Sequence, residues 1–356
     1  MERVSAYLNM VRRFSSKDAK RYAVIEGNQD CNRSCSYCAV PSQYNPQKEL
    51  TLAQTKGVVD WVKRQGFAYV SYLGGEPFAP FKTREGLTFS EHTLEVVKNA
   101  KEVGLIVNVT SNGDYLNPRL MRQASEAGLD TLMLSLHTYT DPAIDHLITV
   151  GKLAAQNRII PAIQTVMTSE TADKLPSIAA KAAQNGILFS VGLVQTVGDG
   201  FSREQDDSVI PTLEQQERVF GALRVLKRYG FTRNNANYLS DAPKYYPNNW
   251  TCNPDQDTFV KIGAGGKLNV CSRVETDLTV FNVKDLTDPK WRDQKREGVA
   301  TCGNCLFNCY YEVENPNIRG DISTALLGLT IKLGGASFVE KWGKIILRKA
   351  YNKRGK

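Results

Sequence analysis

From residue 22 to about residue 195, short apolar runs alternate with helical patterns. The runs are "YAVIE" at 22, "AYVSYL" at 68, "LIVNVT" at 105, "TLMLSL" at 131, "IPAIQTVM" at 160 and "ILFSVGLV" at 187. Each is short and apolar on both faces, the pattern of parallel strands covered by helices. Between them lie amphipathic stretches such as 51–66, 90–103 and 118–127. Six β-then-α units in succession predict a parallel sheet with right-handed crossovers, either a partial barrel or a doubly wound sheet.

The pattern then changes. The polar stretch "TVGDGFSREQDDSVI" reads as a loop or lid over 196–211. The following "PTLEQQERVFGALRVLKRYG" predicts a helix with Thr212 as N-cap and Gln215 completing a capping box. Residues 231–320 show few helical repeats and many Asn, Pro and Gly, and read as a small loop-rich domain. From Phe338, apolar residues recur at helical spacing among basic ones, which predicts an amphipathic C-terminal helix.

Charge and cysteine content sharpen this outline. The net charge is +8, and Lys341, Lys344, Arg348, Lys349, Lys353, Arg354 and Lys356 supply +7 of it with no acidic residue among them. The remaining body is near neutral, which excludes a DNA-binding surface there. The basic tail suits an anionic membrane surface, an RNA, or plain solvation of a packed helix end. The opening residues lack an uninterrupted apolar core and a small-residue cleavage site, and no apolar run spans a bilayer. The eight cysteines are therefore expected to be cytoplasmic thiols in metal or catalytic use.

Three of those thiols, Cys31, Cys35 and Cys38, lie within "DCNRSCSYCAV" directly after the first strand. Structural zinc usually takes four protein ligands. Three thiolates on one loop suit a 4Fe–4S cube with one iron left open, which can chelate an amine and a carboxylate. At the end of the second strand stands "GGEP", Gly74, Gly75, Glu76 and Pro77, where bare glycines permit close backbone approach. Two more strand ends carry polar groups, Ser111 and Asn112 in "TSNG" and Ser135 and His137 in "LSLHTY". A second group follows, Cys252, Cys271, Cys302, Cys305 and Cys309, with "KIGAGGKLNV" predicting a hairpin that returns Cys271 towards Cys252.

The CxxxCxxC spacing, with Tyr37 before its last Cys, resembles the hallmark of the radical S-adenosylmethionine (radical SAM) superfamily. The Cys252-x13-Gly266-x4-Cys271 spacing resembles the opening of SPASM and twitch domains, the auxiliary-cluster modules of such enzymes. The resemblance implies an α/β fold: a partial (β/α)6 TIM-like barrel, a small cysteine-rich C-terminal domain and a C-terminal basic amphipathic helix. The expected boundaries are an N-terminal helical extension at 1–20, a radical SAM core at 21–230, a twitch-like domain at 231–320 and a basic tail at 321–356.

It further implies a [4Fe–4S] cluster on Cys31, Cys35 and Cys38, with S-adenosylmethionine contacted by Tyr37, Gly74, Gly75, Glu76 and Pro77. In similar enzymes the positions of Ser111, Asn112 and Ser135 line the pocket for the cofactor's ribose and carboxylate. Five later cysteines allow one auxiliary [4Fe–4S] cluster, the twitch form, with one thiol spare. Cys252, Cys271, Cys302 and Cys305 are the first choice, Cys309 is able to replace either of the last two, and zinc is the competitor for four thiolates.

The implied activity is reductive cleavage of S-adenosylmethionine to a 5′-deoxyadenosyl radical that abstracts a substrate hydrogen. Ferredoxin or flavodoxin is implied as the electron donor. A peptide or small molecule is the expected substrate, with a membrane lipid, isoprenoid or tetrapyrrole-like molecule as the alternative. The tail allows a peripheral position at the inner face of the membrane. A reading of a different class is a non-catalytic iron–sulfur or zinc protein that docks on membrane or RNA through its tail.

Overall fold

The computed structural model describes residues 20–35, 38, 49–195, 207–247, 249–302 and 305–352. Tyr37, the expected extension up to residue 19 and most of the 196–211 loop lie outside these residues.

Six parallel strands follow the predicted apolar runs closely: β1 (Tyr22–Glu26), β2 (Tyr69–Leu73), β3 (Ile106–Ser111), β4 (Thr131–Ser135), β5 (Ile160–Met167) and β6 (Leu188–Leu193). Helices alternate with them: α1 (Leu52–Arg64), α2 (Phe89–Glu102), α3 (Pro118–Ala127), α4 (Asp141–Gln156) and α5 (Leu175–Gln184). Thr51 with Gln54 and Thr88 with Glu91 close capping boxes that start α1 and α2 where the patterns predict. The same device, Thr212 with Gln215, starts α6 (Leu213–Lys227). The apolar faces of these helices and the strands share one core that includes Trp61, Phe67, Val96, Leu132, Ile163 and Phe189.

The sheet does not stop at six. β7 (Phe259–Ile262) pairs in parallel along the free side of β1, with Tyr22 opposite Phe259 and Ile25 opposite Ile262. β8 (Leu268–Asn269) returns antiparallel on β7, with Gly265 and Gly266 turning the chain at positive φ. The order is therefore β6-β5-β4-β3-β2-β1-β7-β8, an eight-stranded sheet among the described residues.

Two expectations need correction. Residues 231–320 are not poor in helix: α7 (Ala236–Tyr245), α8 (Pro289–Thr301) and α9 (Asn308–Glu314) lie there. Their apolar positions are few, and the helices are held by individual large side chains such as Trp291 and Tyr310 rather than by a regular stripe. The strands are also not apolar on both faces. Glu26, Ser71, Asn108, Thr110, Gln164 and Lys261 line a cavity of about 200 Å³ inside the curled sheet. The interior is a lumen with polar groups set among apolar ones, unlike the side-chain-filled centre of a closed eight-stranded barrel. The chain ends in α10 (Ile318–Lys332) and α11 (Ala336–Asn352).

Candidate active site

The thiol loop leaves the C-terminal end of β1, the edge of a parallel sheet where ligands bind. Its first residues are clamped by the turn after β2. The amide of Gly75 donates to the Asn28 carbonyl at 3.0 Å and that of Glu76 to the Asp30 carbonyl at 2.8 Å. A Cβ on Gly74 would stand 2.4 Å from the Asn28 carbonyl oxygen, and one on Gly75 would stand 1.7 Å from that of Asp30. These two glycines are thus required for the strand-end backbone to lie against the chain entering the thiol loop. The close approach inferred from the sequence is real, and the protein's own backbone occupies it.

Glu76 is buried and braces β2 to β3. Its carboxylate accepts from Ser111 Oγ at 2.7 Å, the Asn112 amide at 2.7 Å and the Phe78 amide at 3.0 Å. Burial nevertheless pushes its carboxyl above the ordinary range. Asn112 extends the chain of contacts: its Nδ2 donates to Asn32 Oδ1 at 2.8 Å and lies 4.0 Å from the Cys31 sulfur. Asp114 accepts from Arg33 Nε and Asn32 Nδ2, both at 2.8 Å, and from Arg33 Nη2 at 2.5 Å. Burial opposes ionisation of Asp114, yet Arg33 and Asn32 hold it below the usual carboxylate range. On the other side, His137 Nδ1 lies 3.4 Å from the Cys35 sulfur. Burial, then the Arg33 charge, brings this imidazole down to about 4, so it is neutral at physiological pH.

Pro77 sits on α2, its carbonyl accepting from Thr93 at 2.8 Å. Ser135 ends β4 opposite Gln164, half-buried. The structure thus brings Cys31, Glu76, Ser111 and Asn112 into one connected network, with Cys35 tied to His137. Arg33, Asn32 and Asp114 were not singled out from the sequence. The signal was present in charged and amide residues directly beside the recognised ones, in "CNRSC" and "SNGD". The lumen residues also left a signal, polar side chains two apart within apolar strands, as at Asn108 and Thr110.

The three thiols of the loop are neighbours. Burial raises Cys31 and Cys35, and each also feels Cys38. In the second group, Cys252 is raised by burial and then by Glu314, Cys305, Cys271 and Cys302. Cys271 is pushed up to about 11 by burial, against two amides that favour its thiolate, with Cys305 and Cys302 adding their field. Cys309 belongs elsewhere: burial takes it to about 12, and its charged neighbours are Glu312 and Arg233. The spacing alone left Cys302, Cys305 and Cys309 interchangeable. The fold assembles Cys252, Cys271, Cys302 and Cys305, while Cys309 turns into the lumen. Soft thiol donors, three after β1 and four within one another's electrostatic reach, two of them buried and two half-buried, fit iron–sulfur clusters.

Residues 25–194 match the family model described as the radical SAM superfamily. The chain is 24% identical over 273 residues to the PqqA peptide cyclase of Gluconobacter oxydans, covering 72% of each chain. It is also 24% identical over 200 residues to the mycofactocin maturase MftC of Mycolicibacterium smegmatis, covering 53% of this chain and 48% of that one. Among solved structures, Streptococcus suis SuiB bound to the precursor peptide SuiA superposes with a TM-score of 0.58 at 16% identity, over 80% of this chain and 69% of that one. This last likeness is one of fold. With its CxxxCxxC loop on the ligand-binding edge of such a sheet, the chain carries a radical SAM domain over residues 25–194 and is a radical SAM superfamily enzyme.

Proposed function

We propose that this enzyme modifies a peptide, with Cys31, Cys35 and Cys38 holding the cluster that binds S-adenosylmethionine. The observation that carries the reading is the open lumen, whose lining reaches from the strand interior to Ser272, beside Cys271. Relatives support a peptide: one is named a PqqA peptide cyclase, and SuiB is bound to a precursor peptide. Its lining mixes a closed Glu26–Lys261 ion pair, Asn108 and Gln164 with Val24, Leu73, Met133 and Phe259, which offers hydrogen bonds to a peptide's amides and apolar contacts to its side chains. Superfamily membership leaves the non-catalytic reading without support.

When bound, the cluster and S-adenosylmethionine supply a reductively generated 5′-deoxyadenosyl radical that removes a substrate hydrogen. The protein's part is to bind, orient and shield. Three thiolates leave one corner of a four-iron cube for an amine and a carboxylate. The thiols are raised by burial without metal, so iron binding must drive their deprotonation. The Glu76–Ser111–Asn112 network fixes the floor under Cys31, and Tyr37, Gly74, Gly75, Pro77 and Ser135 complete the proposed cofactor contacts.

Cys252, Cys271, Cys302 and Cys305 are proposed to close an auxiliary [4Fe–4S] cluster within residues 231–320. No three described His, Cys, Asp or Glu side chains are drawn together as a single-ion site. A low-potential ferredoxin or flavodoxin is the proposed electron donor.

The tail is proposed to rest on an anionic membrane surface at the inner face. No helix is long and apolar enough to cross a membrane among the described residues. Val339, Gly343, Ile346 and Leu347 bury one face of α11, and Gly343 allows contact with the Ala183 carbonyl. Another face leaves Phe338, Trp342 and Ile345 at 64%, 40% and 47% exposure, and Leu326 of α10 and Leu333 just after it are exposed too. Exposed apolar stripes flanked by Lys341 and Lys344 match an interfacial helix.

The reading is tested by anaerobic reconstitution with dithionite, S-adenosylmethionine and short peptides encoded beside the gene. The expected result is 5′-deoxyadenosine formed together with a mass change in one peptide. Cleavage of S-adenosylmethionine with no peptide altered, but a non-peptide metabolite consumed, would overturn the peptide assignment.

A further inference from the structure

A second cavity of about 290 Å³ lies at the opposite end of the barrel from the thiol loop. Its upper wall is made by the first residues of the strands, among them Tyr22, Tyr69, Thr131 and Leu188. α9 and α10 close it below. Tyr22, Met133, Gln164, Asn308 and Cys309 line both this cavity and the lumen, so the two spaces adjoin.

Arg233 points into this cavity. Its backbone amide is anchored to the Phe189 carbonyl at 2.9 Å, beside β6. Nη2 donates to Tyr69 Oη at 2.8 Å, and Nη1 lies 3.5 Å from Asn108 Oδ1 and 3.8 Å from the Met133 sulfur. All three partners are neutral, and the Tyr69 ring lies 5.7 Å from the guanidinium carbon. Among the described residues no carboxylate stands within ion-pairing distance of Arg233. Glu312, whose field reaches it, is taken up by Asn234 Nδ2 at 2.6 Å and the Asn235 amide at 3.2 Å. Asp321 is taken up by Lys227 at 2.6 Å.

Arg233 is half-buried and open to the cavity, its guanidinium cannot neutralise itself by losing its proton, and a counter-charge entering the cavity would find it unpaired. Arg is also the side chain whose donors match a carboxylate in two-point fashion. Glu312, Lys227 and Asp321 also line the cavity but are held by the partners just named, and most of the remaining wall is apolar: the stacked Tyr22–Tyr69 pair, with ring centroids 5.0 Å apart, and Ile318, Ile322 and Ala325 of α10. Ile322 is 49% exposed and stands at the mouth.

We propose that this cavity binds a small apolar ligand bearing one carboxylate, with Arg233 as the partner of that carboxylate. The site is separate from the proposed peptide site and does not depend on it. The ligand's body lies against the tyrosine pair, and its volume is at the lower end of small-molecule pockets. Occupancy would press on Met133 and Gln164, which the lumen shares.

Calorimetric titration of the cluster-loaded full chain, saturated with S-adenosylmethionine, tests this with 3-phenylpropionate and its amide as probes. The acid should bind at about 1 mM or tighter and the amide about tenfold more weakly. Arg233→Met should erase the difference between them. Ile322→Trp, at an exposed position where misfolding is not expected, should fill the mouth and weaken both probes about tenfold while leaving S-adenosylmethionine cleavage unchanged. Equal binding of acid and amide, acid binding that survives both substitutions, or no acid binding at about 10 mM would each overturn the proposal.

Discussion

Asp114 holds Arg33 through two hydrogen bonds, at 2.8 and 2.5 Å, so the end of β3 grips the loop that carries Cys31, Cys35 and Cys38. Both side chains are more than a quarter exposed, so the pair adds little to global stability. Its effect is local, on where the sulfurs stand. Asp114→Ala should leave the melting temperature nearly unchanged while lowering cluster retention and S-adenosylmethionine affinity by about 10–100-fold, the usual range for groups that orient metal ligands. Iron content after gel filtration, with equilibrium dialysis of the cofactor, checks it. Full retention would mean that the loop orders itself.

The separation of Cys309 from the other late cysteines yields a cleaner count. Wild-type enzyme should carry about eight irons per chain, Cys305→Ala about four and Cys309→Ala about eight. Iron and sulfide analysis with electron paramagnetic resonance distinguishes the variants. Loss of a cluster in Cys309→Ala would place that thiol among the ligands.

His92 sets an acid limit. It is buried between Tyr72 Oη at 3.1 Å and Thr55 Oγ1 at 3.4 Å. Burial brings it from 6.5 down to about 4. A depressed histidine favours folding above its unfolded value and loses that contribution as pH falls towards the folded one. Stability should therefore drop by roughly 3 kcal/mol from this group between about pH 6.5 and pH 4. In His92→Gln the decline over that window should be shallower, by urea unfolding at several pH values. Parallel curves for the two proteins would remove His92 as the cause.

The exposed faces of α10 and α11 predict flotation with liposomes. Binding should be strong with anionic phosphatidylglycerol vesicles, weak with neutral phosphatidylcholine, and reduced about tenfold or more by Phe338→Ser with Trp342→Ser. Unchanged flotation of the double variant would rule out this face as the contact.

Much of this was legible in the chain because strand and helix periods coincide with local caps. The six apolar runs and the Thr212–Gln215 box appear within a residue or so of where the pattern puts them. The lumen was only partly legible: Asn108 and Thr110 stand two apart in an apolar strand, whereas Ser71 and Gln164 each look like a tolerable polar residue there. Only the curl of the sheet turns them onto one surface. The role of Gly74 and Gly75 was half legible: the need for close approach is local, whereas the partner, Asn28 to Asp30, is brought by strand pairing. Choosing among Cys302, Cys305 and Cys309 required the start of α9, whose first turn carries Cys309 away from its neighbours.

The ladder between β1 and β7 has a consequence for electron flow. The strand that leads to Cys31 is paired, residue by residue from Tyr22 to Ile25, to β7, and β8, which leads to Cys271, returns antiparallel on β7. The gap between the two thiol groups proposed to hold clusters is thus set in part by the backbone pairing of β1, β7 and β8 within a single sheet. Surface loops can lengthen, and side chains around the lumen can change for a new substrate, without retuning that tunnelling distance.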